Sequence, residues 1–356
     1  MKKYKFAILK NENPDEHLEW LKACQDSPYD INTQVIDMSK DDWLERVMAS
    51  DCDCYLTRPP GAVGYFKQMY DERLYVIRNI LNKRIYPSYE EVLIYENKRM
   101  LAYWLEANSI PHARTHIFYD KAETETFRKS CAFPLVAKTA IGAAGSGIQI
   151  IRSDAELKKY VARAFSQRGI ARKWLPNLRK GKLQARVRRR ITDIPAFLAY
   201  LKRRRLQGTI DPQRWHVILQ EYIEVTEEWR TVRIGDSYFA HKKQRRGDIF
   251  SGGGGIDWEG PGEAILDFMK RVTDKRGFLC QAIDIFVDRE KRLYINELQC
   301  FFGFIHTEHQ MIIDGVPGRY RFKDGKWSFE TGTFNRNNSY DLRVQHVIDL
   351  LESNSL

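Results

Sequence analysis

Apolar and polar positions alternate along this chain with two different periods. Near the N-terminus, short apolar runs at 4–9, 33–36 and 53–57 read as strands. Between them lie stretches with apolar residues every three or four positions: 16–24, carrying Leu18, Trp20 and Leu21, then 42–48 and 66–81. Pro59-Pro60-Gly61 breaks the chain before the last of these. Strand and helix in alternation predict a small α/β layer with a parallel sheet over residues 1–95. A helix is predicted from Asn97, with Leu101, Trp104 and Leu105 on one face, ending before Pro111. Beyond it strands dominate. Runs at 133–138 and 148–151 flank a glycine-rich turn, and 217–223 follows later. Gly235-Asp236 between 231–234 and 237–241 signals a hairpin. Strands at 281–287 and 292–298 are joined by 288–291, and a further hairpin turns at Asp324-Gly325. Helices are predicted at 263–273 and 339–351, and no internal repeat is visible.

The length of 356 residues suggests two or three domains, and 43% hydrophobic residues exclude wholesale disorder. No stretch approaches the ~20 apolar residues of a membrane span. The apolar run at 6–9 is too short for a signal-peptide core and reads as a first strand. Six scattered cysteines without a C-x-x-C do not resemble a disulfide framework. The expectation is a protein of a reducing compartment, the cytoplasm.

Charge changes the picture in one place. The net charge is +11, yet residues 168–214 hold fifteen Lys and Arg against two acids, so the remainder is close to neutral. Arg186-Val-Arg-Arg-Arg190 and Lys202-Arg-Arg-Arg205 are the densest parts. A solvated helical face or insertion is the bland reading. A landing site for something anionic is the functional one, because so much like charge repels itself until a polyanion neutralises it. An acidic glycan, a diphosphate-linked substrate, an acidic polypeptide or a membrane surface would serve. Nucleic acid rests on charge alone and is disfavoured, since no zinc knuckle or RNA-recognition motif accompanies it.

Three elements carry candidate chemistry. Lys138 ends a strand, and Gly142, Gly145, Ser146 and Gly147 follow. Small residues let backbone N–H groups approach phosphate oxygens, and a lysine neutralises their charge. Asp284 and Glu297 stand inside otherwise apolar strands whose antiparallel pairing would bring them together. Two close carboxylates repel unless a cation lies between them, and Mg²⁺ takes one or two carboxylates plus phosphates. Gln220-Glu221-Tyr222-Ile223, followed by Glu227-Glu228-Trp229-Arg230, offers strand-end amides for a purine edge and an acid for ribose hydroxyls. Each alone has a bland counterpart: a hairpin turn, an edge-strand acid, a strand end.

Their order is more specific. Asn97-Lys98, then Phe133-Pro-Leu-Val-Ala-Lys138-Thr139 with a glycine flap, then Gln220-Glu-Tyr-Ile223, Glu228-Trp-Arg230, Ile283-Asp284-Ile285-Phe286 and Glu297-Leu298-Gln299, resembles the ATP-grasp superfamily. Within it the chain is most similar to carboxylate–amine ligases typified by glutathione synthetase and the ribosomal-protein glutamate ligase. The resemblance covers about residues 85–306. It implies an α/β (α+β) ATP-grasp fold, the nucleotide held between two α+β subdomains after a small α/β domain. The expected division is 1–95, then 96–313 with a basic insertion at 168–214, then a C-terminal hairpin and helix at 314–356.

Site roles follow from the resemblance position by position. Lys98 and Lys138 would contact ATP phosphates, and Gly142, Gly145, Ser146 and Gly147 would close over them. Gln220, Glu221, Tyr222 and Ile223 would hold adenine, and Glu228 the ribose. Asp284, Glu297 and Gln299 would hold Mg²⁺ or Mn²⁺. Arg230 and Lys242, with Lys138, would face the γ-phosphate or an acyl phosphate. Thr139 stands where the family has proline, Glu228 where it has aspartate and Gln299 where it has asparagine. The family's substrate loop is replaced by a segment with Arg245, Arg246, Ser251, Gly252 and Gly253. These residues and His306 are the candidate substrate contacts, and the substrate itself is not inherited.

The implied activity is ATP-dependent amide formation through an acyl phosphate, releasing ADP and phosphate. Carboxylate and amine are the expected substrates, one of them anionic, with a peripheral membrane or lipid-linked substrate contact among the expectations, and dimers are common in the family. The alternatives are a kinase acting on a hydroxyl, and a nucleic-acid- or membrane-binding module with a vestigial ATP site. His306-Thr-Glu-His309 reads as pocket lining or a helix cap before a zinc pair, and Asp51-Cys-Asp-Cys54 as a strand lead-in. No G-x-S-x-G or other nucleophile arrangement is present.

Overall fold

In the computed structural model, residues 2–142, 147–171, 211–245, 255–302 and 310–356 are described. Three sheets organise them. The first is wholly parallel, in the order β2 (Asp30–Asp37), β1 (Lys3–Lys10), β3 (Cys54–Thr57), β4 (Ile85–Tyr86). Helices α1 (Leu18–Gln25), α2 (Trp43–Ala49) and α3 (Gly64–Tyr75) connect its strands. The α/β alternation is therefore real. Its short fourth strand, and the helix α4 (Tyr89–Ile94) behind it, escaped the pattern because neither spans two full periods. A capping box fixes the start of α4: Glu91 donates its N–H to Ser88 Oγ and returns a carboxylate to the Ser88 N–H.

The second sheet is antiparallel, in the order β5 (Thr115–Phe118), β8 (Val217–Glu221), β6 (Leu135–Lys138), β7 (Ile148–Ile151). One face packs on α6 (Lys121–Arg128) and α7 (Asp154–Ala164) through Phe118, Leu135, Ile151, Leu157, Tyr160 and Leu219. Leu157, Tyr160, Val161 and Ala164 have helical spacing, and Ser153 caps the helix they form. Helix α5 (Lys98–Ala107) precedes this sheet, capped by Asn97.

The third sheet runs β13 (Leu293–Gln299), β12 (Cys280–Asp288), β9 (Val225–Ile234), β10 (Ser237–Lys243), β15 (Val316–Lys323), β14 (Ile312–Ile313), with β11 (Ile256–Asp257) on β10 and β16 (Lys326–Thr331) on β15. Helix α8 (Glu263–Asp274) and α5 cover one face through Leu101, Trp104, Leu266, Phe268 and Met269. The predicted C-terminal hairpin is β15–β16, an extension of this sheet. The last helix, α9 (Tyr340–Glu352), instead buries Tyr340, Val344, Val347 and Ile348 in the core of the first sheet, where Trp20 meets Tyr340 edge-on. Among the described residues no helix is long and apolar enough to cross a membrane.

Candidate functional site

The site forms where the end of β6 and the start of α5 face the β9–β10 and β12–β13 pairs. Strand alternation decides who takes part. The two-residue turn Gly235-Asp236 sets the register of β9 on β10, so Arg230 opposes His241 and Glu228 opposes Lys243. On its other side β9 places Arg230 opposite Asp284, and β12 places Asp284 opposite Glu297. Partners directly across a ladder share a face. Glu228, Arg230, Lys243, Asp284, Glu297 and Gln299 therefore gather on one side of the sheet.

Their contacts are dense. Asp284 is buried, with Oδ1 2.8 Å from Arg230 Nε and Oδ2 2.7 Å from Lys243 Nζ. Lys243 also reaches Glu228 Oε1 at 2.5 Å. Arg230 donates to Gln299 Oε1 at 2.8 Å, and Gln299 Nε2 donates to Glu297 at 3.1 Å and Glu96 at 3.2 Å. Burial pushes the Asp284 carboxyl up, but Arg230 and Lys243 outweigh it and hold it below the usual carboxylate range. Glu228 goes the other way: burial raises it to about 7 against the pull of Lys243, and Asp284 adds to the rise. Burial also pushes Glu96 up to about 7 despite Lys98 beside it.

The two lysines enter from the facing elements. Lys98 donates to the Gly142 carbonyl at 2.7 Å and lies 3.9 Å from Glu96 and 4.0 Å from Glu297. Lys138 is buried, and loss of hydration brings its ammonium down to about 8, with Glu297 opposing and Lys98 reinforcing the fall. Its Nζ donates to Asn296 Oδ1 at 3.4 Å. Asn296 is available because the β12–β13 register slips between Asp284 and Ile285. In a regular strand Asn296 and Glu297 would face opposite sides; a bulge leaves both near Lys138.

The flap root is built for glycine. Gly142 has φ +140°, and a Cβ on Gly147 would lie 1.8 Å from Thr139 Oγ1. Thr139 N–H donates to Gly147 O at 2.9 Å, a bond that proline at this position would forfeit.

One expected site residue is corrected. Lys242 does not join Arg230: the strand alternation turns it to the opposite face, where it pairs with Glu227 at 3.3 Å and Glu259 at 3.1 Å over the Trp229 ring. Its neighbour Lys243 occupies the place expected for it. Gln220 lies at the end of β8, with its amide donating to Thr115 Oγ1 at 2.9 Å. Glu221 and Tyr222 beside it are exposed, and Ile223 is half-buried on the way to β9. Arg245 is exposed just past β10. Gly145, Ser146, Arg246, Ser251, Gly252, Gly253 and His306 lie outside the described residues, as does 172–210 of the basic insertion. The insertion's roots are joined by an Ile170–Gln213 bridge. Sequence reading missed Glu96, Lys243 and Asn296. Counting outward from the Gly235-Asp236 turn finds Lys243 opposite Glu228; nothing in the sequence marks the bulge that recruits Asn296.

No family model matches the sequence, and no curated protein matches it. Solved structures do match the fold. The carboxyaminoimidazole ribonucleotide synthase of Aspergillus clavatus, complexed with ATP, superposes with TM-score 0.56 at 9% identity over 98% of this chain and 77% of that one. N5-carboxyaminoimidazole synthetase of Staphylococcus aureus, complexed with ADP, gives 0.56 at 10% identity, covering 97% and 77%. D-alanyl-alanine synthetase A of Vibrio cholerae gives 0.55 at 11% identity, covering 99% of both chains. These are ATP-grasp proteins, and the chain has the ATP-grasp fold.

Proposed function

We propose that the chain is an ATP-dependent carboxylate–amine ligase. ATP would phosphorylate a carboxylate, and an amine would then displace phosphate from the acyl phosphate to form an amide. The observation that supports this best is the convergence of Lys98, Lys138, Arg230 and Lys243 with Glu228, Asp284 and Glu297, from separate elements of an ATP-grasp fold, in one site. The structural neighbours of known activity, two of them nucleotide complexes, point the same way.

Positioning and charge neutralisation would do most of the work, as in other phosphoryl transfers. Lys98 and Lys138 would hold phosphate oxygens, with the glycine flap keeping water from the acyl phosphate. Arg230 and Lys243 would face the transferred group. Adenine would lie at Gln220 to Ile223, and Glu228 would meet the ribose once Lys243 yields it. Asp284 and Glu297 are hard oxygen donors directly opposed across a ladder, which fits Mg²⁺ or Mn²⁺. They would hold the ion, Asp284 by exchanging one cationic partner. When bound, it neutralises charge on the phosphates. The Gln299 carbonyl already accepts from Arg230, so its role is better read as orienting that guanidinium.

The basic insertion favours an anionic substrate, such as a glycan precursor or an acidic peptide. The test is ADP release with candidate acids and amines, followed by mass spectrometry of the product. An amide supports the ligase; a phosphate ester would show a kinase instead; ADP release with neither product counts against both.

A further inference from the structure

A cavity of about 640 Å³ opens between α3 and α4 on one side and the chain that follows β6 on the other. Its lining takes in neighbours of Lys98 and Lys138 in the chain but neither lysine itself. Asn97 and Thr139 to Ile141 line it, and the same backbone carries Lys98, whose N–H donates to Ala140 O at 2.8 Å. The Lys98 ammonium itself bonds Gly142 O and faces Glu297. The cavity therefore shares a wall with the proposed ATP site but not its charged groups. At about 640 Å³ it falls within the range of small-molecule pockets.

Its charges are arranged in an unusual way. Lys67 and Asp71 are buried in its lining and satisfy one another: Lys67 Nζ is 2.5 Å from both Asp71 oxygens and 3.0 Å from Val92 O. That pair cancels. Among the described lining residues what remains is one guanidinium, Arg99, and two carboxylates, Glu72 and Asp211. Among the described residues none of the three has an ion-pair partner. Arg99 donates to the Tyr119 hydroxyl at 3.0 Å, while its Nε is buried without a partner. Glu72 is exposed and accepts from the Gln68 amide at 2.7 Å, and the half-buried Asp211 accepts the Gly64 N–H at 2.5 Å. Beside Arg99, His216 engages Nδ1 with Arg214 O at 2.9 Å, and its Nε2 is left unpartnered. Tyr75 and Tyr89, 6.1 Å apart and edge to face, supply an apolar wall.

A cation and two anions on different elements of one cavity, each without an ion-pair partner among the described residues, are complementary to a ligand that carries both charges. We propose that this cavity binds a small zwitterion of the amino-acid class, its carboxylate on Arg99 and its ammonium on Glu72 and Asp211. A simple amine would leave Arg99 unpaired, and a simple acid would meet two carboxylates. The site goes beyond the ligase reading and does not depend on it.

The test is calorimetric titration of the full chain, without nucleotide, using free amino acids and dialanine, with butylamine and butyrate as single-charge controls. Saturable binding of a zwitterion but of neither control is expected. Arg99→Met and Glu72→Gln should each weaken it at least about tenfold without moving the melting temperature. Asp211→Asn takes the place of either variant if that one unfolds. Absence of zwitterion binding at about 10 mM, or binding equally strong in the variants, overturns the proposal. In the second case the zwitterion binds elsewhere, which leaves the ligase reading intact.

Discussion

Lys242 and Lys243 are adjacent in sequence and separated by a β-sheet in space. Lys243 is the cation shared by two buried carboxylates, Glu228 and Asp284. Removing it strands them in a medium that stabilises charge poorly. Lys243→Met should cost up to about 3 kcal/mol, the low end for breaking a buried pair, because Arg230 still neutralises Asp284. Lys242 is partly exposed, so Lys242→Ala should cost less than about 1 kcal/mol. Urea denaturation of the two variants checks this, and nucleotide turnover should fail only in the Lys243 variant. Lys138 makes a second prediction. Its ammonium sits at about 8 because it is dehydrated, and a bound phosphate would favour the charged form. At pH 8, nucleotide binding should take up about half a proton. Calorimetry in buffers of different ionisation enthalpy measures that uptake, and Lys138→Met should abolish it.

At the scale of elements, the flap root matters most. Thr139 and Gly147 close it through one backbone hydrogen bond and a contact with no room for a methyl group. Gly147→Ala should cost about 1–3 kcal/mol by overpacking and should weaken nucleotide binding. Thr139→Ala removes the hydroxyl nearest the new methyl, so the double variant should recover part of the loss. Thermal melts of the two single variants and the double variant decide it; equal losses in Gly147→Ala and the double variant would show that the contact is not the cause. The β12–β13 bulge has a comparable role, turning Asn296 toward Lys138 without displacing Glu297.

The whole molecule is tied together by groups from distant parts of the chain. Glu91 of α4 accepts the Cys280 N–H at the start of β12, joining the first layer to the third sheet, and α9 closes the first core from the far end of the sequence. Burial raises the Glu91 carboxyl to about 7. The folded protein then holds a proton that the unfolded chain has released between the ordinary carboxylate range and about pH 7. Stability therefore falls as the pH rises through that window. Glu91 should contribute about 3 kcal/mol to this fall. Denaturation midpoints at acidic and alkaline pH should show a smaller fall in Glu91→Gln. The insertion gives the last prediction. Residues 172–210 carry thirteen basic side chains and one acid, so excising them takes the formal charge from +11 to −1. The Ile170–Gln213 bridge keeps the ends together. A short Gly-Ser linker in their place should leave nucleotide binding unchanged, raise the KM for an anionic substrate and remove its salt dependence. A KM that is equally salt-sensitive after excision would assign the anion to another part of the surface.

By itself the sequence determined what local pattern can carry. Periodicity marked the parallel layer, both helices flanking the third sheet and the hairpins, because an amphipathic period is a property of consecutive residues. Lys138, Asp284 and Glu297 were legible because each is a charge in an otherwise apolar or glycine-rich setting, whereas Lys98, between Asn97 and Arg99, was legible only through the family resemblance. Only the tertiary structure decided which side chains meet. It chose Lys243 over Lys242 through register, recruited Asn296 through a bulge, and brought Glu96 and α9 to their partners across hundreds of residues. Such pairings depend on which strand lies beside which, and burial then sets the charge each group carries there.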